Sequence, residues 1–487
     1  MEDKELSNEE IEQIKKKSVK GVFSFFFRTL ILQGVGLVSA FILSAFLSPE
    51  DFGVFGIVTQ IIALLVFFSD IGLAASLIQK KTEPTEDDYK TAFTIQLILS
   101  WFIFFIVLLI IKLGFLEVKI GNQGVLVLLA LAISFPLATF KTIPSIILER
   151  RLDFNKLVLP AIFEQVFFHA ILIVMAWKGY GVISYFYAIL CRSVVGLIVI
   201  QILQPWAPKI KIDKASLKGL LNFGLKFQLN DFLARIKDQL YFLALGAFLP
   251  LKDFGYMQWA KNWSMYPYNL TVQNVMSITF PTFSRLQAHK DLLKRAIEKS
   301  IYFIALFIFP ILVGMSVFIY PLTELIGKYQ KWQPAVLSFV LFSLSVGWSA
   351  ISTPLVNSLN AIGKINQTLK LMVMWTVLTW VLTPILLWKF AFNGVAIAAF
   401  LISFTSIFSV LMTKKYIEIQ VIKNVWAQLV ASLLMAAFGI LGLKWWGTSY
   451  IFFFGGGLTS VLIYALVFFV LSKDRFLLEL RSLKKNI

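Results

Sequence analysis

Apolar runs long enough to cross a lipid bilayer recur about fourteen times along this chain, and no other feature constrains its fold as tightly. A helix needs roughly 20 apolar residues to span a hydrocarbon core about 30 Å thick. Barrel strands would be about 10 residues long and alternate in polarity, a pattern absent here. Of the 487 residues, 58% are hydrophobic and only 15% are charged, where a soluble chain keeps about a quarter charged. The expected fold is therefore an all-α polytopic membrane protein with about fourteen transmembrane helices.

Charge sets the expected orientation. Net charge is +18, which in a soluble domain points to nucleic acid. No basic soluble domain exists here, so the excess is assigned to loops facing anionic lipid headgroups, and nucleic acid is excluded as a partner. With the N-terminus inside and the spans alternating, 30 of the 45 Lys and Arg fall on inside segments, 8 on outside loops and 7 within spans. That asymmetry predicts cytoplasmic N- and C-termini. The polar residues before the first apolar run are too many and too acidic for a signal peptide. Ser7-Asn8-Glu9-Glu10 fits a helix capping box, so residues 7–20 read as a short amphipathic surface helix. The single cysteine, Cys191, excludes an intrachain disulfide and a multi-cysteine metal site. No catalytic triad, metal-ligand set or nucleotide-binding glycine pattern occurs, so no cofactor, no metal and no enzymatic activity is expected.

A weak repeat divides the chain. Leu47-Ser-Pro-Glu-Asp51-Phe52-Gly53 recurs as Leu249-Pro-Leu-Lys-Asp253-Phe254-Gly255, each an outside turn between two spans. Duplicated six-helix halves are common in transporters. The expected organisation is a segment 1–20, an N-lobe 21–203, a linker 204–218, a C-lobe 219–413, and residues 414–487 carrying two last spans and a tail.

A charged residue at the bilayer centre costs about 2.5–3.5 kcal/mol, so such residues usually face a bundle interior. The intramembrane cations are Arg28, Lys141, Arg192, Lys226, Arg235, Lys237 and Lys261; the acids are Asp70, Glu164, Asp231 and Asp238. Lys141 and Lys226 lie near enough to the inner edge to snorkel. Arg192 does not, and pairing with Glu164 or Asp70 is its structural alternative. In the span 219–249, Gln228, Asp231, Arg235 and Asp238 form one stripe; Lys226, Asn230 and Lys237 form an opposed one. In the span 254–282, Asn262, Tyr266, Asn269 and Gln273 keep to one face beside Trp259 and Trp263. Amides and aromatics suit sugar hydroxyls and sugar faces. An interfacial aromatic belt is the alternative for Trp259. His169 reads as a helix-interface hydrogen bond.

The stretch Leu47-Ser-Pro-Glu-Asp-Phe-Gly-Val-Phe-Gly56, the run Phe67-Phe-Ser-Asp70-Ile-Gly-Leu-Ala-Ala-Ser-Leu-Ile-Gln-Lys80, and Pro144-Ser-Ile-Ile-Leu-Glu-Arg150-Arg151-Leu-Asp-Phe154 carry a resemblance. They resemble bacterial Wzx and WzxC-like polysaccharide flippases of the multidrug/oligosaccharidyl-lipid/polysaccharide superfamily. The resemblance implies two six-helix lobes around a central cavity that opens alternately to each side of the inner membrane. It implies outward movement of an undecaprenyl-diphosphate-linked oligosaccharide, an O-antigen, capsule or exopolysaccharide repeat unit, with the last two spans bordering a groove for the lipid tail.

On this reading Arg28, Arg192, Arg235, Lys237 and Lys261 hold the diphosphate, since guanidinium matches phosphate oxygens in pairs. Asn262, Tyr266, Asn269 and Gln273 face the glycan. Asp70 and Asp231 are candidates for coupling to an ion, H+ or Na+; a salt bridge to Arg28 or Lys141 is the plainer reading of Asp70. An ion-coupled drug or cation antiporter is the alternative function, disfavoured by Arg28 and the absence of an acid in the first span. A membrane-embedded polymerase or ligase is a third reading, disfavoured by outside loops of about 13 residues or fewer.

Overall fold

A computed structural model describes the backbone of residues 8–80 and 82–484, and their side chains except 8–26, 67–68, 115, 222–238, 278 and 480–484. The chain is an all-α polytopic membrane protein, without strands among the described residues. It divides into two compact units, Met1–Gly255 and Tyr256–Ile487. The first holds α1 (Asn8–Phe46), α2 (Pro49–Ser69), α3 (Leu73–Gln79), α4 (Glu86–Lys112), α5 (Phe115–Arg150), α6 (Phe154–Trp177), α7 (Ile183–Leu203) and α8 (Lys214–Phe248), and α9 (Leu251–Tyr268) begins there. The second continues through a π-helical turn (Asn269–Gln273), α10 (Asn274–Arg285), α11 (Lys290–Leu325), a 3-10 stretch (Gly327–Ala335), α12 (Val336–Ala361) and α13 (Ile365–Phe390). It ends with α14 (Asn393–Ser403), α15 (Ile407–Lys414), α16 (Val421–Leu441), α17 (Leu443–Trp446) and α18 (Tyr450–Lys484).

The starts of α2, α4 and α8 are written in polar residues that precede them. Ser48 accepts from the Asp51 amide at 3.1 Å while Asp51 accepts from the Ser48 amide at 2.8 Å, with Pro49 at the first helical position. Thr85 and Asp88 repeat this reciprocal cap at the start of α4, and Lys80 pairs with Asp88 beside it. Asp213 caps α8 through the Ser216 amide at 2.7 Å, a bond that holds its carboxyl below the usual range. The residues before it are strapped along α4: the Lys211 amide donates to Thr94 Oγ1 at 3.0 Å and the Asp213 amide to Thr91 Oγ1 at 2.9 Å. A 2.7 Å bond to Asp87 raises the Lys211 ammonium above its ordinary value.

Twelve stretches are long and apolar enough to cross a membrane among the described residues. They coincide with twelve of the expected spans. The other two are the polar ones. The middle of α8 lies among the undescribed side chains, and the expected span 254–282 is interrupted. Pro267 sits at the end of α9, the π turn follows, and α10 contains Pro281. Proline removes a ladder donor and clashes with the preceding turn.

The two copies of the Asp-Phe-Gly turn meet inside the first unit. A Cβ on Gly53 would run into the Leu251 carbonyl, and one on Gly255 into the Pro49 carbonyl. The contact is reciprocal, backbone against backbone, and Lys252 Nζ lies 4.0 Å from Glu50 Oε1 across it. Only glycine allows so close an approach. Gly255→Ala is therefore expected to destabilise the protein by about 1–3 kcal/mol, the usual scale of overpacking. A lowered thermal unfolding midpoint of the purified protein is the readout; an unchanged midpoint would show that the turns can separate freely.

Candidate functional site within the membrane

The first unit gathers charge from three neighbouring helices. Glu164 of α6 accepts from Lys141 Nζ of α5 at 2.6 Å, and its second oxygen lies 3.5 Å from Arg192 Nε of α7. The group carries one negative and two positive charges. Gly196, one turn beyond Arg192, gives the carboxylate its room, because a Cβ there would collide with Glu164 Oε1. Lys141 makes the shorter contact and is the better enclosed; the Arg192 side chain is 47% exposed, with its guanidinium 5.8 Å from the Phe168 ring centre. The snorkelling expected of Lys141 is replaced by this ion pair, since a carboxylate one helix away satisfies the ammonium within hydrocarbon. His169 bonds Gln165 at 2.7 Å on its own helix, four residues back, rather than across an interface.

Asp70 lies where the second expected span breaks. Its Oδ1 accepts from the Leu73 amide at 2.8 Å, the Ala74 amide at 3.4 Å and Gln96 Nε2 at 3.2 Å. The salt bridge to Arg28 or Lys141 is thus replaced by capping of α3. The opposite end of α3 is held by Arg150, whose Nη1 donates to the carbonyls of Leu77, Ile78 and Lys80 at 2.8, 2.9 and 3.0 Å. Arg28 of α1 is half-buried. Asp231, Arg235 and Lys237 have a helical backbone within α8, but their side chains lie outside the described residues, as do those of Lys226, Gln228, Asn230 and Asp238.

On α9, Lys261 and Tyr266 are half-buried and Asn262 is exposed. Trp259 belongs to the core: it is 1% exposed and stacks on Trp332 at 4.9 Å. It is neither an interfacial anchor nor part of an open aromatic strip. Asn262, Tyr266 and Asn269 keep their predicted alignment up to the π turn. Gln273 ends that turn, and the extra residue accommodated there rotates it by about 100° from its place on an unbroken helix. It is exposed. Local side chains bond the carbonyls of the irregular segment: Thr271 Oγ1 donates to Pro267 O at 2.6 Å and Asn274 Nδ2 to Leu270 O at 2.9 Å. Tyr268 ties the segment to α12 through Thr353 at 2.9 Å. Sequence reasoning missed Gln96, Gly196 and the structural duty of Arg150. The available signal for Gln96 was a lone amide inside the apolar run of α4.

Residues 42–337 match the model of a family described as polysaccharide biosynthesis proteins. The chain belongs to that family. Among curated relatives, the succinoglycan biosynthesis transport protein ExoT of Rhizobium meliloti (strain 1021) is 22% identical over 64% of this chain and 63% of its own length. The chain thus spans a little less than two thirds of that relative. The lipopolysaccharide biosynthesis protein WzxC of Escherichia coli (strain K12) is 20% identical over 75% of this chain and 74% of its own. In fold, the chain is similar to the lipid II flippase MurJ in its inward closed conformation, with TM-score 0.69, 16% identity and coverage of 94% of this chain and 100% of that one. An inward-facing MATE multidrug transporter of the MOP superfamily gives TM-score 0.58 at 15% identity, over 79% and 95% of the two chains. The sequence resemblance to WzxC-like polysaccharide biosynthesis proteins holds.

Glu164 neutralises one of two cations, so its removal strands both. Glu164→Gln is expected to cost about 3 kcal/mol of stability, the scale for breaking a buried ion pair. Restoration by the double variant Lys141→Met, Glu164→Gln, measured by thermal unfolding, separates the pair from a packing effect.

Proposed function

We propose that this protein is a flippase that moves a polyprenyl-diphosphate-linked oligosaccharide from the inner to the outer leaflet of the bacterial inner membrane. The supporting observation is the net-positive charge group Lys141–Glu164–Arg192 within the membrane of a polysaccharide biosynthesis family member. Lys141 neutralises Glu164 closely, which leaves the half-exposed Arg192 guanidinium able to exchange its long carboxylate contact for a phosphate. A net-positive site concentrates anions and repels cationic drugs, so it favours the flippase over the antiporter.

In this reading residues 21–203 and 219–413 are the two lobes, and Arg28, Arg235, Lys237 and Lys261 join Arg192 in binding the diphosphate. Asn262, Tyr266 and Asn269 contact the glycan. Transport is driven by an ion gradient or by the substrate gradient. Arg192→Gln keeps a hydrogen-bonding group and removes the charge. Export of lipid-linked glycan, measured as surface polysaccharide at equal protein level, is expected to fall about tenfold or more, the worth of one charge-assisted hydrogen bond of roughly 1.5–3 kcal/mol. Unchanged export would count against the diphosphate site and favour the antiporter.

Both termini lie in the cytoplasm in this reading, supported by the Lys and Arg asymmetry. In a Cys191→Ser background, a cysteine replacing the exposed Asn122 is expected to react with an impermeant thiol reagent from outside, and one replacing Asn486 only after permeabilisation. The reverse pattern inverts the orientation.

A further inference from the structure

The second expected span stops where apolar sequence could have continued. α2 ends at Ser69, Asp70 is extended with φ −139°, and Gly72 turns left-handed at φ +81° before α3 begins. The break brings a carboxylate against Gln96 of α4. Gln96 lies ten residues along α4 from Glu86, about 15 Å at helical rise, and Asp70 lies ten residues before Lys80, at the same end of the bundle. Gln96 is 3% exposed. Its Nε2 donates to Asp70 Oδ1, yet its Oε1 has no hydrogen-bond partner among the described residues. A buried acceptor left unpaired costs about 1–3 kcal/mol, and native chains rarely retain one without a reason.

The three donors that reach Asp70 all fall on Oδ1: the Leu73 amide, the Ala74 amide and Gln96 Nε2. Oδ2 is the oxygen left to change state. We propose that Asp70 and Gln96 form an intramembrane proton site, in which a proton taken up on Asp70 Oδ2 is shared with the Gln96 carbonyl oxygen. The step forms one O–H bond with a proton from water and takes the carboxylate from −1 to neutral; no other bond changes. In the neutral state, Nε2–H donates to Oδ1 and the new O–H donates to Oε1. Acid and amide then pair at both positions, and the orphaned acceptor has its donor. Ionised, the same pair leaves Oε1 bare and holds a full charge inside the membrane, which is costly.

The charged groups on the surrounding elements are engaged elsewhere. Lys80 is paired with Asp88, Lys90 with Glu86, and Lys141 with Glu164. Arg150 caps the far end of α3, with Glu149 next to it and Tyr89 packed in the apolar cluster around Leu73 and Leu77. Lys119 of α5 bonds the carbonyls of Ala247 and Leu249. The other charges of α2 and α4, Glu50, Asp51, Asp87 and Lys112, lie at helix ends, as do Lys214 and Lys218 of α8; the remaining charged residues of α8 fall in the stretch 222–238, and its Tyr241 lies beyond that stretch. The proton site stands on its own geometry; its use as the coupling ion of export rests on the flippase reading.

Infrared difference spectroscopy of the full chain in lipid nanodiscs tests it without any substrate, so its failure is distinct from failure of the transport reading. On acidification the wild type is expected to gain a protonated-carboxyl C=O band that Asp70→Asn lacks. Asparagine keeps an acceptor for the Leu73 and Ala74 amides, so α3 stays capped. Gln96→Leu is expected to retain the band at higher frequency, because the acid has lost its amide partner. This second variant carries the test if Asp70→Asn fails to fold. The proposal is overturned if no band depends on Asp70, if Gln96→Leu leaves its frequency unchanged, or if sodium at fixed pH erases it, which would make the pair a metal-cation site.

Discussion

In hydrocarbon no water is available to a backbone N–H or C=O, so each must find its partner within the protein. That one requirement sets the all-helical fold, and it also explains where this chain spends its polar side chains. At several helix interruptions a side chain bonds a backbone group beside the break. Asp70 supplies the first amides of α3 and Arg150 the last carbonyls. Thr271 and Asn274 do the same at the π turn. The Trp446 Nε1–H donates to Gly439 O at 2.7 Å where α16 gives way to α17. Several polar residues that stand out in the sequence are thereby accounted for without a ligand.

The same rule extended to side-chain charge separates the remaining groups. Glu164 is satisfied mostly by Lys141, and Arg192 is left with a longer contact and half its surface open. Removing the Cβ at Gly196 is what permits this geometry. A helix-packing glycine and an intramembrane cation are thus parts of one arrangement, although they are four residues apart and of opposite character. Charge that is paired and enclosed serves the fold; charge that is paired loosely is available to a ligand.

How much of this was legible in the sequence depends on whether the signal was local. Twelve spans could be read because length and apolarity are properties of a single segment. The caps at Ser48 and Thr85 could be read for the same reason. The pairing of Arg192 with Glu164 was one of two options, since helical periodicity gives depth and face but not the neighbouring helix. The duty of Arg150 was hidden because its acceptors are carbonyls some seventy residues away in sequence. Trp259 was read as open because its partner, Trp332, lies in a 3-10 stretch that carries no periodic signal. Helical arithmetic aligns Gln273 with Asn269, and a π turn adds a residue that this arithmetic does not count.

The two places where this arithmetic fails share a physical character. The break at Asp70–Gly72 and the π turn at Asn269–Gln273 both fall inside segments that composition alone would draw as single spans. Each is bounded by a residue that cannot continue the helix regularly, Gly72 at positive φ or Pro267 without a donor. At each, side-chain hydrogen bonds reach backbone groups beside the irregular segment. A ladder bond is fixed by the geometry of the helix, whereas a side chain can release one partner and take another as the chain bends. A transporter that alternates between two openings needs elements with two discrete arrangements, and in a membrane such elements must remain fully hydrogen-bonded in both. At the breaks beside Asp70, Thr271 and Asn274, side chains hold backbone groups that an uninterrupted apolar helix would bond within its own ladder.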